Sequence, residues 1–532
     1  MAKSSQIDVR LNTQGMHIPL REQEVGRSVV NPATDLVFIP DVNTESDVPK
    51  DRGVIGIKYA HNVMPSTYGW RSISYLESVA DPALGSGSFT RIVPIAGAAV
   101  TGGSVSASGI RSYLGVFYNG SNSVLYYLNA GGAWAPVSGV PTLSSDAVVS
   151  AAYINGVSYI SIPGHSVYVI DLTSGALTER PLTSLNMSDI KGATSAYGYL
   201  IVWTVNRVLW SSSVDVEDFT PSDTSGAGGG AVQEASGDII YCGEGRFGFF
   251  VYTRSNIVSA LYTSNATFPF EFIALAGSGG IYSPDHIAKG TVAAASYAYS
   301  SSGIQKITQQ AATTTLPHIS DFLDNSYFED FDTVTGVFSS TTVGSTGMKK
   351  AIQTVASRFV VLSYGADISA PFTHALVIDT QQGRMGKLKI DHVACVDFFD
   401  LSLSSGLDSN SSLAFLGAEG SIKAANFDTE CAGVDAVVLM GDLTYAHGSM
   451  AQLQEVEVEN VCAGAGFSMY TLPTLDGSTF EPKQDGYVRQ EDLVKPLRRF
   501  LFSSVAKSHT LVFVGGFELN TVVARITRAG RY

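Results

Sequence analysis

The chain has 532 residues, too long for one ordinary core at about 150 residues per domain, although all-β units run larger. Charged residues are only 15%, against an average of about 25%, and glycines number 53; this excludes a protein of long soluble helices, whose wet faces need Glu, Lys and Arg. The net charge of −15 argues against a protein that grips phosphates, because grip comes from Lys and Arg displacing counterions, and leaves open one that nucleic acid slides past.

Residues 1–60 mix polar and extended character, with Pro32, Pro40 and Pro49 and no apolar leader after Met1. They predict an extended arm, suited to adding a strand that closes a ring of sheets. Strands follow in quick succession. Tyr113-Leu-Gly-Val-Phe-Tyr118 and Ser123-Val-Leu-Tyr-Tyr-Leu128 flank Asn119-Gly120, a hairpin signal because both turn residues tolerate positive φ. The form recurs at Val157–Ile162 with Ser166–Leu172, at Tyr199–Thr204 with Arg207–Trp210, at Phe249–Thr253 with Ile257–Tyr262, and at His374–Asp379 with Gly386–Ile390. Turn or strand-start marks at Gly120, Gly156, Gly198, Gly248, Gly303, Arg358 and Ser412 are 36, 42, 50, 55, 55 and 54 residues apart. Units of about 40–50 residues are the size of propeller blades. The expected fold is therefore all-β, with a β-propeller of about seven blades (six to eight) over 61–430. A series of β-sandwich hairpins would look the same locally.

After about residue 428 the texture changes. Glu455-Val-Glu-Val-Glu459 alternates strictly, which predicts one dry face and three carboxylates on the other. Together with Leu511–Val514 and Thr521–Thr527 it marks an additional C-terminal β domain over 431–532. No membrane-spanning segment is expected, since apolar stretches such as Ile92–Val100 fall far short of the roughly 20 residues a helix needs.

The chemistry-bearing motifs are sparse. Gly243-Glu-Gly245-Arg-Phe-Gly248 has the dinucleotide-binding spacing but leads into strand-like Phe249–Thr253 rather than a helix, so it reads as a turn. Gly226–Gly230 lacks the Lys-Ser/Thr of a phosphate loop. The nine histidines form no metal pair, and the cysteines at 242, 395, 431 and 462 lie too far apart for a zinc motif; they read as buried free thiols, with disulfides left open by their even number. Asp215, Glu217, Asp218 and Asp223 match no calcium loop and read as a solvated loop. Thr474-Leu-Asp476-Gly477-Ser-Thr-Phe480 falls one residue short of the boxes of sialidase propellers. No catalytic residue, cofactor or metal is expected. The densest acidic stretch holds Asp321, Asp324, Glu329, Asp330 and Asp332 interleaved with Phe322, Leu323, Tyr327, Phe328 and Phe331; it reads as a loop pinned by aromatics or as an acidic lumen or docking edge.

Three stretches carry a resemblance. Ala60-His-Asn62-Val-Met-Pro-Ser-Thr-Tyr-Gly69-Trp70-Arg71 places an Asn ahead of a Gly and a basic residue before the first blade. Arg207-Val-Leu-Trp210-Ser-Ser-Ser-Val-Asp-Val-Glu-Asp218-Phe219-Thr-Pro221 runs through a Gly-rich loop to Gly237-Asp238-Ile239. His509–Gly516 is followed by Arg525–Arg531. These resemble the tail nozzle, or tubular, proteins of short-tailed bacteriophages. The resemblance implies a propeller with a terminal sandwich, assembled as a homohexameric tube in the virion tail below the portal and adaptor ring and beside tail fibre proteins. Such a subunit, made in the host cytoplasm, would retain packaged double-stranded DNA and let it pass without specific binding. The rivals are a receptor-binding or adhesin propeller and a carbohydrate-active propeller hydrolase, which would need two converging carboxylates.

Overall fold

The computed structural model describes residues 6–12, 16–17, 56–65, 70–79, 84–95, 113–128, 133–144, 147–171, 174–265, 267–288, 296–316, 329–333, 337–340, 348–355, 359–380, 384–398, 412–426, 435–443, 449–460, 467–475, 484–488 and 497–531. Among them are 42 strands, two single-turn 3-10 helices and no α-helix.

Seven sheets follow one another as antiparallel meanders. Blade 1 is built from Ser88–Pro94, Tyr113–Tyr118, Ser123–Leu128 and Trp134–Pro136, and blade 2 from Ser150–Ile154, Val157–Ser161, Val167–Asp171 and Ala176–Arg180. Blade 3 comprises Gly192–Ala196, Tyr199–Trp203, Arg207–Trp210 and Gly228–Ala231; blade 4 comprises Ile239–Gly245, Gly248–Thr253, Ile257–Tyr262 and Phe270–Ala274. Blade 5 has three regular strands, Ser296–Ser300, Gly303–Ile307 and Ala312–Leu316. Blade 6 is Lys349–Val355, Phe359–Gly365, Phe372–Asp379 and Arg384–His392. Blade 7 takes Ala394–Phe398, Ser412–Leu416 and Ile422–Asn426 and completes itself with Ser74–Val79, which precedes blade 1 in the chain.

The apolar cores lie between blades, as expected of strands apolar on both faces. Phe89, Ile92 and Trp134 of blade 1 pack on Val396, Leu416 and Ile422 of blade 7. Val116 and Leu125 meet Ile160 and Ile170 of blade 2, and Ile154 and Val167 meet Leu200 and Val202 of blade 3. Trp203 and Val208 meet Val251 and Val258 of blade 4, whose Phe250 and Ile257 meet Ala298 and Ile307 of blade 5. Tyr299 and Ile304 meet Ile352 and Leu362 of blade 6, and Val361 and Val377 meet Cys395 and Phe415 of blade 7. Seven cores joining seven sheets in a cycle make a closed propeller. Each fully buried side chain of this kind contributes about 1.5–3 kcal/mol relative to exposure. Trp134 Nε1 also donates to Gly420 O at 2.8 Å across the seam where blade 7 meets blade 1.

The ring closes differently from the sequence expectation. The closing strand is Ser74–Val79, not the arm. The arm strands Gln6–Asn12 and Gly56–His61 instead pair with Glu518–Arg531 and Val437–Leu443 of the C-terminal unit, while Met16–His17 adds to the last strand of blade 6 without closing the ring. That unit is a sandwich. One sheet orders Gly56–His61, Val437–Leu443, Ser508–Val514, Ser468–Thr474 and Gln484–Asp485; the other centres on Glu518–Arg531, Ser449–Asn460 and Leu497–Ala506. Val438 and Met440 of the first face Leu453, Val456, Val458, Val522 and Ala524 of the second. The Glu-Val alternation behaves as its period dictates: Val456 and Val458 are fully buried, while Glu455 meets Arg525 at 2.8 Å and Arg499 at 3.6 Å, and Glu457 meets Arg499 at 3.6 Å. The sandwich is not a detached domain. Its second sheet continues through Trp70–Ser72 and Val63–Pro65 into the last strand of blade 6, forming one 12-stranded sheet.

The repeat marks fall on more than one turn: Gly156, Gly198 and Gly248 sit at the first hairpin of their blades and Gly303 between the first two regular strands of blade 5, whereas Gly120 belongs to the second hairpin of blade 1.

Candidate functional site: the channel and the joint with the sandwich

The stretch around Asn62 forms the joint between propeller and sandwich. Asn62 is buried with φ of 51°, a left-handed conformation that Asn tolerates better than most residues. This turns the chain between Gly56–His61 of one sandwich sheet and Val63–Pro65 of the other. Its Nδ2 donates to Asp435 O at 2.8 Å, and its Oδ1 accepts from Lys389 N of blade 6 at 3.0 Å and from Tyr75 Oη of the closing strand at 3.2 Å. One side chain thus ties three elements that are far apart in sequence. Beside it His61 meets Asp435 at 3.3 Å, a contact that holds the Asp435 carboxyl below its usual range, and the Lys387 ammonium lies over the Tyr59 ring. Arg71 pairs with Glu518 at 3.4 Å in strand register, so the front and terminal stretches of the resemblance meet in one sheet. Gly69 lies outside the described residues.

The middle stretch is structural. Trp210 is buried against Phe270 and donates Nε1 to Gly226 O at 2.8 Å. Asp218 Oδ1 accepts from Thr220 N and Thr183 Oγ1, which holds its carboxyl below the usual range, and Phe219 fills the core between blades 2 and 3. Gly237 takes φ of +94° in the link to blade 4, where Asp238 O accepts from Arg254 N. Asp215 accepts from Glu217 N and closes the loop on itself, while Glu217 meets Arg180 of blade 2 at 3.6 Å and ties the loop to that blade.

Of the acidic stretch, Asp321 and Asp324 lie outside the described residues. Glu329–Asp332 forms a two-stranded hairpin with Val337–Ser340, inserted between blades 5 and 6. Phe331 anchors it on the outer face of the sandwich, against Tyr59, Val437, Leu439, Tyr470 and Leu472, and Tyr470 Oη donates to Thr333 O at 3.1 Å. Asp332 is exposed.

The channel holds an arrangement that the sequence reading missed. Among the described residues, blade 5 shows no regular innermost strand. Its place is taken by a segment containing the 3-10 turn Pro284–His286, joined to the blade by an Ile287–Ala298 bridge and by Ala288 N donating to Tyr297 O at 2.9 Å. From this turn Asp285 meets Arg91, on the first strand of blade 1, at 3.1 Å. Blades 1 and 5 are separated by two blades on one side and three on the other, so this ion pair spans the interior of the ring. Lys349 and Lys350 start the first strand of blade 6 beside it, and Lys350 Nζ donates to Tyr299 Oη at 3.0 Å. The available signal was an arginine inside the apolar run Phe89–Val93.

A Ser–His contact also emerges: His392 Nε2 lies 2.7 Å from Ser363 Oγ, which lies 3.6 Å from Cys395 Sγ. All three are buried; burial pushes His392 down to about 4 and Cys395 up to about 12, so the imidazole stays neutral and the thiol protonated. Cys242 is likewise a buried free thiol, raised by burial, while Cys431 and Cys462 lie outside the described residues. Among the described residues no group of three His, Cys, Asp or Glu could hold a metal, and no helix is long and apolar enough to cross a membrane.

No protein-family model and no curated protein matches the chain. Among solved structures it is similar to the WD40 β-propeller domain of Doa1, at 8% identity and a TM-score of 0.37 over 66% of this chain and 97% of that one. It is also similar to YCF48 bound to D1 peptide, at 14% identity and a TM-score of 0.36 over 68% and 97% of the two chains. A third is the extracellular domain of a putative hybrid two-component system from B. thetaiotaomicron, at 10% identity and a TM-score of 0.38 over 82% of this chain and half of that one. At these scores the propeller assignment stands on the strand pairing and the cyclic cores.

Proposed function

We propose that this protein is a structural subunit of a short phage tail, six copies of which form a nozzle below a portal and adaptor ring. It retains and then conducts double-stranded DNA, contacts tail fibre proteins, and carries no catalytic activity. The observation that carries the reading is the joint: the front stretch that resembles nozzle proteins, Ala60–Arg71, and the terminal ones, His509–Gly516 and Arg525–Arg531, share both sheets of the sandwich, and the larger of the two runs on into blade 6. A weld of this kind suits a load-bearing wall. Because Arg91 and Asp285 meet inside the propeller, DNA would pass between copies around a symmetry axis, the usual closed solution for head-to-tail interfaces. A tail reconstruction tests this, with six copies per tail expected; one or three would reject it. The hairpin that begins with Glu329–Asp332, packed through Phe331 on the outer face of the sandwich, is proposed to face the lumen of the assembled tube or its constriction, where charge repels DNA within about 8–10 Å. Changing Asp324, Glu329 and Asp330 together to Lys is expected to slow DNA ejection, most at low salt. Unchanged kinetics would remove the lumen role.

One observation favours a second reading, a receptor-binding propeller. Tyr197, Phe247 and Phe268 are half or more exposed on turns of blades 3 and 4, and Tyr197 stacks on Tyr262 at 4.3 Å. Saturable binding of surface glycans, abolished by Tyr197→Ala, would support it.

A further inference from the structure

Around the ion pair inside the ring, cations outnumber anions among the described residues. Arg91 of blade 1 meets the carboxylate of the turn, Asp285, and the blade 6 strand that begins with Lys349 and Lys350 packs against the same turn, where Lys350 Nζ donates to Tyr299, whose ring meets His286 edge-on. This happens in a chain with 15 excess negative charges. Arg91 spends Nη2 on Asp285, while its Nη1 is shielded from water and has no hydrogen-bond partner. His286 Nδ1 on the same turn is also shielded and unpartnered. Lys349 is half-buried, with its ammonium 4.5 Å from the centroid of the Phe372 ring and 3.2 Å from Ala370 O. Burial, with Arg91 nearby, lowers its affinity for its proton, and Asp285 offsets that only in part. An unspent guanidinium nitrogen beside a desolvated ammonium is costly unless something accepts from it.

We propose that this end of the propeller channel binds one oxyanion of phosphate type, held by Arg91 Nη1 and the Lys349 ammonium, with Asp285 as the internal carboxylate that competes for the same cations. An Arg fork and a Lys point charge are the pairing that phosphate oxygens select. The anion would neutralise the cation excess and lock blades 1, 5 and 6 together around the irregular innermost segment of blade 5. The proposal is independent of the tail reading, since it concerns the interior of one subunit.

The test is calorimetric titration of the full-length protein with inorganic phosphate and, separately, with glycerol phosphate, which distinguishes a free anion from a terminal phosphate group. Saturable binding near one equivalent per chain is expected for at least one of them. Lys349→Gln should weaken it by about tenfold or more, as loss of a charged hydrogen bond does, and Arg91→Gln likewise. Asp285→Asn should tighten it, because the competing carboxylate is gone. Should Arg91→Gln fail to fold, Lys349→Gln and Asp285→Asn, checked by circular dichroism, carry the test with opposite expected signs. Absence of saturable binding by both anions, or affinities unchanged in Lys349→Gln and Asp285→Asn, would overturn the proposal.

Discussion

Blades 2, 3 and 4 differ in kind from blades 5, 6 and 7. The first three are each one consecutive stretch of chain folded into four strands, with tight turns such as Asn155-Gly156 and Tyr197-Gly198, where both residues take positive φ. The last three borrow. Blade 5 replaces its innermost strand with a 3-10 turn, blade 6 is fused to the sandwich, and blade 7 takes its fourth strand from residues 74–79. Local blades need only hairpin chemistry. The borrowing half depends on contacts between residues hundreds of positions apart, such as Asn62 with Asp435 and Lys389. It also holds three histidines, His286, His374 and His392, kept at about 4, 3 and 4 chiefly by burial, whereas in blade 4 burial pushes up Tyr241, Cys242, Glu244 and Tyr252.

Acid should therefore separate the two halves most strongly. The folded histidines resist protonation, whereas an unfolded histidine accepts a proton near 6.5. The unfolded state binds more protons as pH falls, so their stabilising contribution is complete above about 6.5 and lost progressively toward 4. For His392, fully buried, the loss is on the order of 3 kcal/mol. Hydrogen exchange at pH 4.5 is expected to deprotect 359–392 before 150–262; simultaneous deprotection would break the comparison.

Asn62→Ala should come next. It deletes three hydrogen bonds at a buried junction and puts Ala into a left-handed conformation, a cost of about 2–4 kcal/mol. Thermal unfolding should split, with protease cleavage appearing first near the joint while blades 2 to 4 stay resistant. A single cooperative transition with blades 2 to 4 equally exposed would show that the halves unfold as one.

Gly192→Ala probes the local half. An added Cβ would lie 2.1 Å from the Trp203 ring, so overpacking should cost about 1–3 kcal/mol, with exchange changes confined to blades 2 to 4. Spread of those changes to 384–392 would blur the distinction. The smallest effect is expected for Gly156→Ala, where space is open and only φ of +86° opposes the methyl group, about 1 kcal/mol by denaturant titration. A loss above that of Gly192→Ala would reverse the order.

By itself, the sequence determined what short-range rules govern. Alternation buried Val456 and Val458, β-rich runs around Gly turns set the hairpins of blades 2 to 4, and the blade-sized spacing implied a ring of about seven. Even Gly245-Arg-Phe-Gly248 was legible as a turn, because the residues after it are strand formers. Tertiary structure decided the rest. A closing strand is chosen by which edge lies open, and no local pattern distinguishes Ser74–Val79 from Gln6–Asn12 and Gly56–His61, which joined the sandwich instead. The meeting of Arg91 and Asp285, 194 positions apart, exists only because seven blades close around one axis. Asn62 became a joint for the same reason: its neighbours in space come from three elements, and hydrogen-bond partners at that separation leave no periodic trace in the chain.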